Sequence, residues 1–456
     1  MSFFQLRSLP GSVWPAVPHP QVSLVWNAYQ QLDRTQWMRP EQIEQMQLQQ
    51  LNALLAHARK NVPYYAGLLH EDPITSPEAL RKLPVLTREL YQSNFEQIQA
   101  RALPEGMTAG DKGSFTSGTS GVPIKVLKTN RDALWWSALF LRDLEWCNID
   151  PKGKLAVIRL LAYKPQDLPA AMAGATVPHW NPSVKMLIDT GPCAGIDIRL
   201  DPRKQLDWLR REQPDYLLSM PTNLEVLSSL VRESGEPLSH LKMIQAIGEP
   251  MSAEMRMRIE SGFGVPVKNI YSTTEGGYIA SQCPDGHGLH VHSETVLCEV
   301  LDAHNNPCKP GETGRLVFTN LHNFRTPFIR YEIQDEVTLA AAPCPCGRGL
   351  PLWLHVEGRR YPNLRLADGR KKSSIGIVLG LRQVGGVHQF QMIQRELGRA
   401  IVRVVPDQTW TPEHPNRIRE VMQREFESPI DVQIEQRPYL ERLAGGKLKI
   451  VVVEME

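Results

Sequence analysis

The chain has 456 residues, 51 basic and 49 acidic, and its formal net charge of +2 gives no electrostatic reason to bind nucleic acid or an anionic membrane. At about 150 residues per domain the length allows roughly three domains, or one large and one small. The opening Met1-Ser2-Phe3-Phe4-Gln5-Leu6-Arg7 has no charged start followed by an apolar block, so no secretory signal is read there. The apolar stretch 155–163 is too short to span a bilayer and contains Arg159. Seven cysteines, an odd number unevenly spaced, do not make a disulfide framework. These features predict a soluble cytoplasmic protein.

Residues 1–40 hold several prolines and tryptophans with little periodicity. Pro40-Glu41 then opens a helix with Leu48, Leu51, Leu55 and Ala58 on one face. It stops at Arg59-Lys60-Asn61-Val62-Pro63, and Tyr64-Tyr65 follow as an aromatic anchor. Residues 130–146 predict a helix carrying Trp135, Trp136 and Phe140. From there short apolar strands (155–161, 216–220, 243–247, 267–271) alternate with helical segments (202–213, 222–233, 252–261). That alternation predicts parallel strands joined by crossover helices. Strands at 295–301 and 314–320, joined by the turn-rich 302–311, begin a more antiparallel region.

A boundary falls near Gly358-Arg359-Arg360, dividing the chain into 1–357 and 358–456. Beyond it the pattern reads strand (388–394), strand (400–405), helix (414–426), strand (430–435) and a last strand (447–454). The helix places Ile418, Val421, Met422 and Phe426 on one side, as in a compact α+β module of about 100 residues.

Five stretches carry chemistry. Ser114-Phe115-Thr116-Ser117-Gly118-Thr119-Ser120-Gly121-Val122-Pro123-Ile124-Lys125 is a hydroxyl-rich run with two glycines, suited to wrapping phosphates, and it lacks the Gly-Lys-Ser/Thr ending of a Walker loop. Gly248-Glu249-Pro250 closes one predicted strand, at the end where open α/β sheets bind ligands. Tyr271-Ser272-Thr273-Thr274-Glu275-Gly276-Gly277 closes another with a polar turn and a carboxylate able to hold Mg²⁺. Asp335 follows Tyr331 by four residues, and its carboxylate is an acceptor able to take two donors at once. Gly445-Gly446-Lys447 sets an amine on a loop before the final strand.

In this order the stretches resemble the adenylate-forming superfamily of acyl-CoA synthetases and peptide-synthetase adenylation domains. Residues 59–65 with Leu83-Pro84-Val85-Leu86-Thr87 are similar to the branch of phenylacetate-CoA ligases, coenzyme F390 synthetases and CapK-type proteins. The resemblance implies an α/β N-terminal domain with parallel sheets and an antiparallel subregion, plus a small mobile α+β C-terminal domain. It implies that Thr116 to Gly121 bind ATP phosphates and that Gly248, Glu249 and Pro250 wall the adenine. Tyr271, Ser272 and Thr273 would border the nucleotide, Thr274 would approach the α-phosphate, and Glu275 would hold Mg²⁺. Asp335 and Arg359 would take the ribose, and Lys447 would stabilise charge during adenylation. The chain departs from the family at the hinge, where Arg360-Tyr361-Pro362 stand and Pro362 restricts the backbone.

Cys283, Cys344 and Cys346 with one histidine make a tetrahedral Cys₃His set for structural Zn²⁺, with His290 the preferred fourth ligand and His287 its competitor. Trp135, Trp136, His179 and Trp180 are candidates for an acyl pocket. The expected activity is ATP- and Mg²⁺-dependent conversion of a carboxylic acid, aromatic by resemblance, to an acyl-adenylate and then its transfer to CoA. Capture by an amine is the alternative, and a non-catalytic nucleotide-binding protein is a further one. A homodimer is implied by resemblance only.

Overall fold

A computed structural model of the chain describes residues 3–110, 113–115, 124–161, 165–181, 184–359, 362–442 and 448–455. Thr116 to Gly121 and Lys447 therefore lie outside the described residues, as do Arg360 and Tyr361 at the hinge. Strands Cys193–Asp197, Leu155–Arg159, Tyr216–Ser219, Met243–Ile247 and Val267–Thr273 run parallel, in that spatial order. Helices Pro202–Glu212, Pro221–Ser234 and Ala253–Phe263 connect them, each bringing a leucine-, valine- or methionine-rich face to the sheet. This is the expected crossover pattern.

The same sheet continues antiparallel through Gly277–Gln282, Leu289–Val291, Leu352–Arg359, Tyr331–Leu339, Thr313–Asn320 and Val296–Leu301. The pair 296–301 and 313–320 is in register from Val296 opposite Asn320 to Leu301 opposite Arg315. Tyr65 is the buried anchor expected after the helix Pro40–Asn61, its hydroxyl donating to the Pro327 carbonyl at 3.0 Å. No helix among the described residues is long and apolar enough to cross a membrane.

The N-terminal forty residues depart from expectation. Pro20–Thr35 is a helix, with Val22, Val25, Ala28, Tyr29 and Leu32 buried. That spacing is helical, and its stripe packs on the helix Asn130–Trp146, where the Tyr29 hydroxyl donates to Glu145 at 2.7 Å.

The C-terminal residues form a four-stranded sheet in the order Asp431–Gln436, Arg399–Pro406, Val387–Glu396, Val451–Val453, with a core of its own from Leu364 to Val451. Helix His414–Phe426 buries Ile418, Val421, Met422 and Phe426, as its period predicts. The final strand is shorter than the predicted span, three residues at Val451–Val453. Helix Ile375–Gln383 was not expected: it contains Gly376 and Gly380, which depress helix propensity, and tertiary packing decides its state.

Candidate active site

Strand Val267–Thr273 carries Tyr271 to the C-terminal edge of the parallel sheet, and the chain turns there through Thr274 and Glu275. Thr273 Oγ1 accepts the Gly276 amide at 2.8 Å, closing the turn. Glu275 is buried, and its carbonyl accepts Asn320 Nδ2 at 3.1 Å. Across the cleft the Tyr271 hydroxyl donates to Asp335 Oδ2 at 2.5 Å. Burial first, then the Asp335 charge, holds the Tyr271 hydroxyl well above its usual range, so it remains a donor. Two residues 64 apart in the sequence, both assigned to one nucleotide by the resemblance, are thus in direct contact.

The backbone of Arg359 is the cross-strand partner of Asp335. Beside it Gly358, at φ +75°, lies so close to Pro250 that a Cβ would overlap the proline ring. Gly248, at φ +91°, has the Arg159 guanidinium 3.5 Å from the place a Cβ would occupy. The 248–250, 271–275, 335 and 358–359 stretches therefore converge. The Glu249 carboxylate is bonded to Thr222 and faces Arg442.

The hydroxyl-rich run is approached through its stem. Ser114 pairs with Val126 and Phe115 with Lys125, antiparallel, on either side of the run. Tyr91 donates to the Lys125 carbonyl at 2.6 Å, while Thr326 Oγ1 and Asn323 Nδ2 bind the Leu127 amide and carbonyl at 3.3 and 3.1 Å. Asn323 also donates its amide to Asn320, which holds Glu275. The 320–326 turn is thus a bracket fixing the stem relative to the Glu275 turn, and nothing in the sequence reading pointed to it. Lys128 is a second omission. Burial lowers its pKa, against the opposing pull of Asp132 and Glu275.

Trp135 stacks on His322 with ring centroids 4.6 Å apart, and Trp136 meets Tyr278 at 5.0 Å, beside the Glu275 turn. Trp180 does not join them: its indole donates to Gly153 at 2.9 Å and packs on Tyr216, at the opposite, N-terminal ends of the strands. Beneath the tryptophans Asp143 is fully buried and accepts Gln245 Nε2 at 2.8 Å; burial pushes its carboxyl up to about 6.

Cys283, His290, Cys344 and Cys346 bring their ligand atoms within 4.8 Å of one another. Cys283 Sγ and Cys344 Sγ are 3.6 Å apart, close to the ~3.8 Å edge of a tetrahedron with zinc–sulfur bonds of about 2.3 Å. His290 Nε2 is 3.2 Å from Cys346 Sγ. Its Nδ1 lies 3.1 Å from the Leu350 carbonyl, to which it can donate, leaving the Nε2 lone pair for a metal. His287 is exposed at the tip of the turn, outside the cluster. The donor set and its spacing fit structural zinc.

The AMP-binding enzyme family model matches residues 186–326. The phenylacetate-coenzyme A ligase of Escherichia coli K12 is 27% identical over 320 residues, 68% of this chain and 70% of that protein. The Thermus thermophilus enzyme of the same name is 25% identical over 319 residues, covering 68% of each. The chain is a relative of the AMP-binding enzymes. A solved 2-hydroxyisobutyryl-CoA ligase in the postadenylation state superposes with a TM-score of 0.72 at 17% identity, covering 92% of this chain and 91% of that one. The fold is therefore that of the adenylate-forming enzymes, with the large mixed sheet and smaller C-terminal region expected from the sequence.

Proposed function

We propose that this protein is an AMP-forming acid–thiol ligase that activates a carboxylic acid with ATP and transfers the acyl group to coenzyme A, with an aromatic acid as substrate and the cytoplasm as its compartment. The observation that carries the reading is the Tyr271–Asp335 contact, beside the packing of Pro250 on Gly358. With the pairing of Asp335 and Arg359, these contacts link the four stretches and support the reading. Division of labour follows the boundary at 357/358, which falls two residues before the end of strand Leu352–Arg359.

Asp335 and Arg359 bind the ribose hydroxyls, the carboxylate as a double acceptor. The backbone around Gly248 and Pro250, with Tyr271, borders the adenine. Thr116 to Gly121 bind the phosphates by amides and hydroxyls, and Thr274 meets the α-phosphate. Glu275 is a hard oxygen donor of the kind Mg²⁺ takes, and the ion, when bound, offsets phosphate charge. A carboxylate oxygen of the acid attacks the α-phosphorus, and the bond to the bridging oxygen breaks to release pyrophosphate. Lys447 stabilises the charge that builds there. The CoA sulfur then attacks the acyl carbonyl, and AMP leaves with its phosphate oxygen. Cys283, His290, Cys344 and Cys346 hold zinc with every position filled by protein, a structural role.

The test is acid-dependent ATP–pyrophosphate exchange over a panel of aryl and aliphatic acids, followed by AMP release with and without CoA. Exchange without CoA, and AMP release that requires CoA, are expected. AMP release that requires an amine instead would replace the acceptor and keep the first half-reaction. Exchange with no acid at all would remove the enzyme reading.

A further inference from the structure

Among the described residues, the seam between the C-terminal module and the large region is centred on the Glu249 carboxylate. Glu249 Oε2 accepts the Thr222 amide at 3.1 Å and the Thr222 hydroxyl at 2.7 Å. Thr222 lies in the first turn of helix Pro221–Ser234, whose N-cap Met220 has no side chain able to cap it. Glu249 thus serves as the anionic cap of that helix, where amide donors and the helix dipole favour negative charge. Its other oxygen faces the C-terminal module. Arg442 Nη1 is 3.7 Å from Glu249 Oε1 and donates to Thr222 Oγ1 at 3.0 Å, and the Leu448 amide donates to Oε1 at 3.4 Å. Both charged side chains are more than nine-tenths buried. Two flanking contacts complete the seam: Gln389 Nε2 to the Thr222 carbonyl at 3.3 Å, and His388 Nε2 with Glu233 at 2.9 Å.

We propose that Glu249 is the latch that docks the C-terminal module for adenylation, a positioning residue acting through Arg442 and Leu448. The inference rests on the function proposed above, because its consequence is stated for the two half-reactions. Leu448 is peptide-bonded to Lys447, and Arg442 precedes it by five residues, so the module is tied to the sheet at points bracketing the adenylation lysine. A buried carboxylate that satisfies a helix N-terminus is rigid in the large region. The same carboxylate gives the module a charge-paired seat that is lost when the module moves away, since Arg442 and the Leu448 amide must then find water. Docking is therefore reversible, and Glu249 favours the docked arrangement.

The experiment compares wild type with Glu249→Gln, Arg442→Gln and the double variant, all in the full chain. Hydrogen exchange of the peptides containing Thr222 and Leu448 reads docking directly. Steady-state ATP–pyrophosphate exchange reads adenylation, and thioester formation from added acyl-adenylate reads the CoA step. Faster hydrogen exchange at Leu448 is expected in both single variants, with kcat for pyrophosphate exchange at least tenfold lower and KM for ATP within twofold. The CoA step falls by less, and the double variant is no worse than the poorer single one. Unchanged exchange at Leu448 overturns the proposal. So does a raised KM for ATP at unchanged kcat, which would make Glu249 an adenine contact. Should Glu249→Gln fail to fold, Arg442→Gln carries the same test. If wild type exchanges pyrophosphate with no acid, the proposed function fails, and hydrogen exchange still decides the latch.

Discussion

The Cys₃His cluster and the candidate nucleotide site are built in opposite ways from similar sequence signals. The cluster draws four candidate ligands from two turns and strand Leu289–Val291, and the fold brings their ligand atoms, mostly buried, within 4.8 Å of one another. The candidate nucleotide site collects its groups from strand ends, the paired residues 114–115 and 125–126, and the C-terminal module, with polar side chains such as Tyr271 and Asp335 in direct contact. A structural metal site is finished by the protein, whereas a site for a transferred nucleotide is finished by its ligand and by domain docking. The two should therefore fail differently, the first in stability and the second in turnover.

The largest effect should come from the knuckle. Purified protein is expected to carry one equivalent of zinc by metal analysis. Cys346→Ser should remove it and lower the thermal midpoint by at least about 10 °C, because structural zinc contributes on the order of 10 kcal/mol to such folds. His287→Ala should leave both unchanged, and a zinc loss in that variant would reassign the fourth ligand. Next in size is Lys447→Ala, which should lower acid-dependent pyrophosphate exchange by about 100-fold or more while ATP binding by calorimetry changes little. Normal turnover in that variant would remove the residue from the mechanism.

Proton linkage lies between these and the binding effects. Burial lowers His322 to about 4, so between that value and 6.5 the unfolded chain binds the proton and the native state does not. The contribution is fully present above pH 6.5 and is lost as pH falls towards 4. Denaturant titrations should show roughly 2 kcal/mol less stability at pH 5 than at pH 7 from this group. His322→Gln should flatten that slope by the same amount, and an unaltered slope would mean another group carries it. The smallest expected change is Asp335→Asn, which should raise KM for ATP about tenfold with a near-normal melting temperature, the scale of one hydrogen bond to a charged acceptor. A large fall in melting temperature would make Asp335 a structural partner of Tyr271 instead.

Local pattern was enough for much of this molecule. The alternation between residues 155 and 271 dictates a parallel sheet, because strands buried by crossover helices must be short and apolar. Helices 130–146 and 414–426 follow from their periods. Their determinants are neighbours in sequence or repeat at a fixed interval. Tertiary structure alone decided the helix at 375–383, whose glycines argue against it until packing supports it. It decided the 320–326 bracket, whose polar side chains have meaning only against Leu127 and Glu275. It also set the Glu249 carboxylate against Thr222, Arg442 and Leu448, partners 27, 193 and 199 residues away. A carboxylate's role is set by the charge and amides that face it, and those are chosen by how the two cores are placed together, which no local pattern encodes.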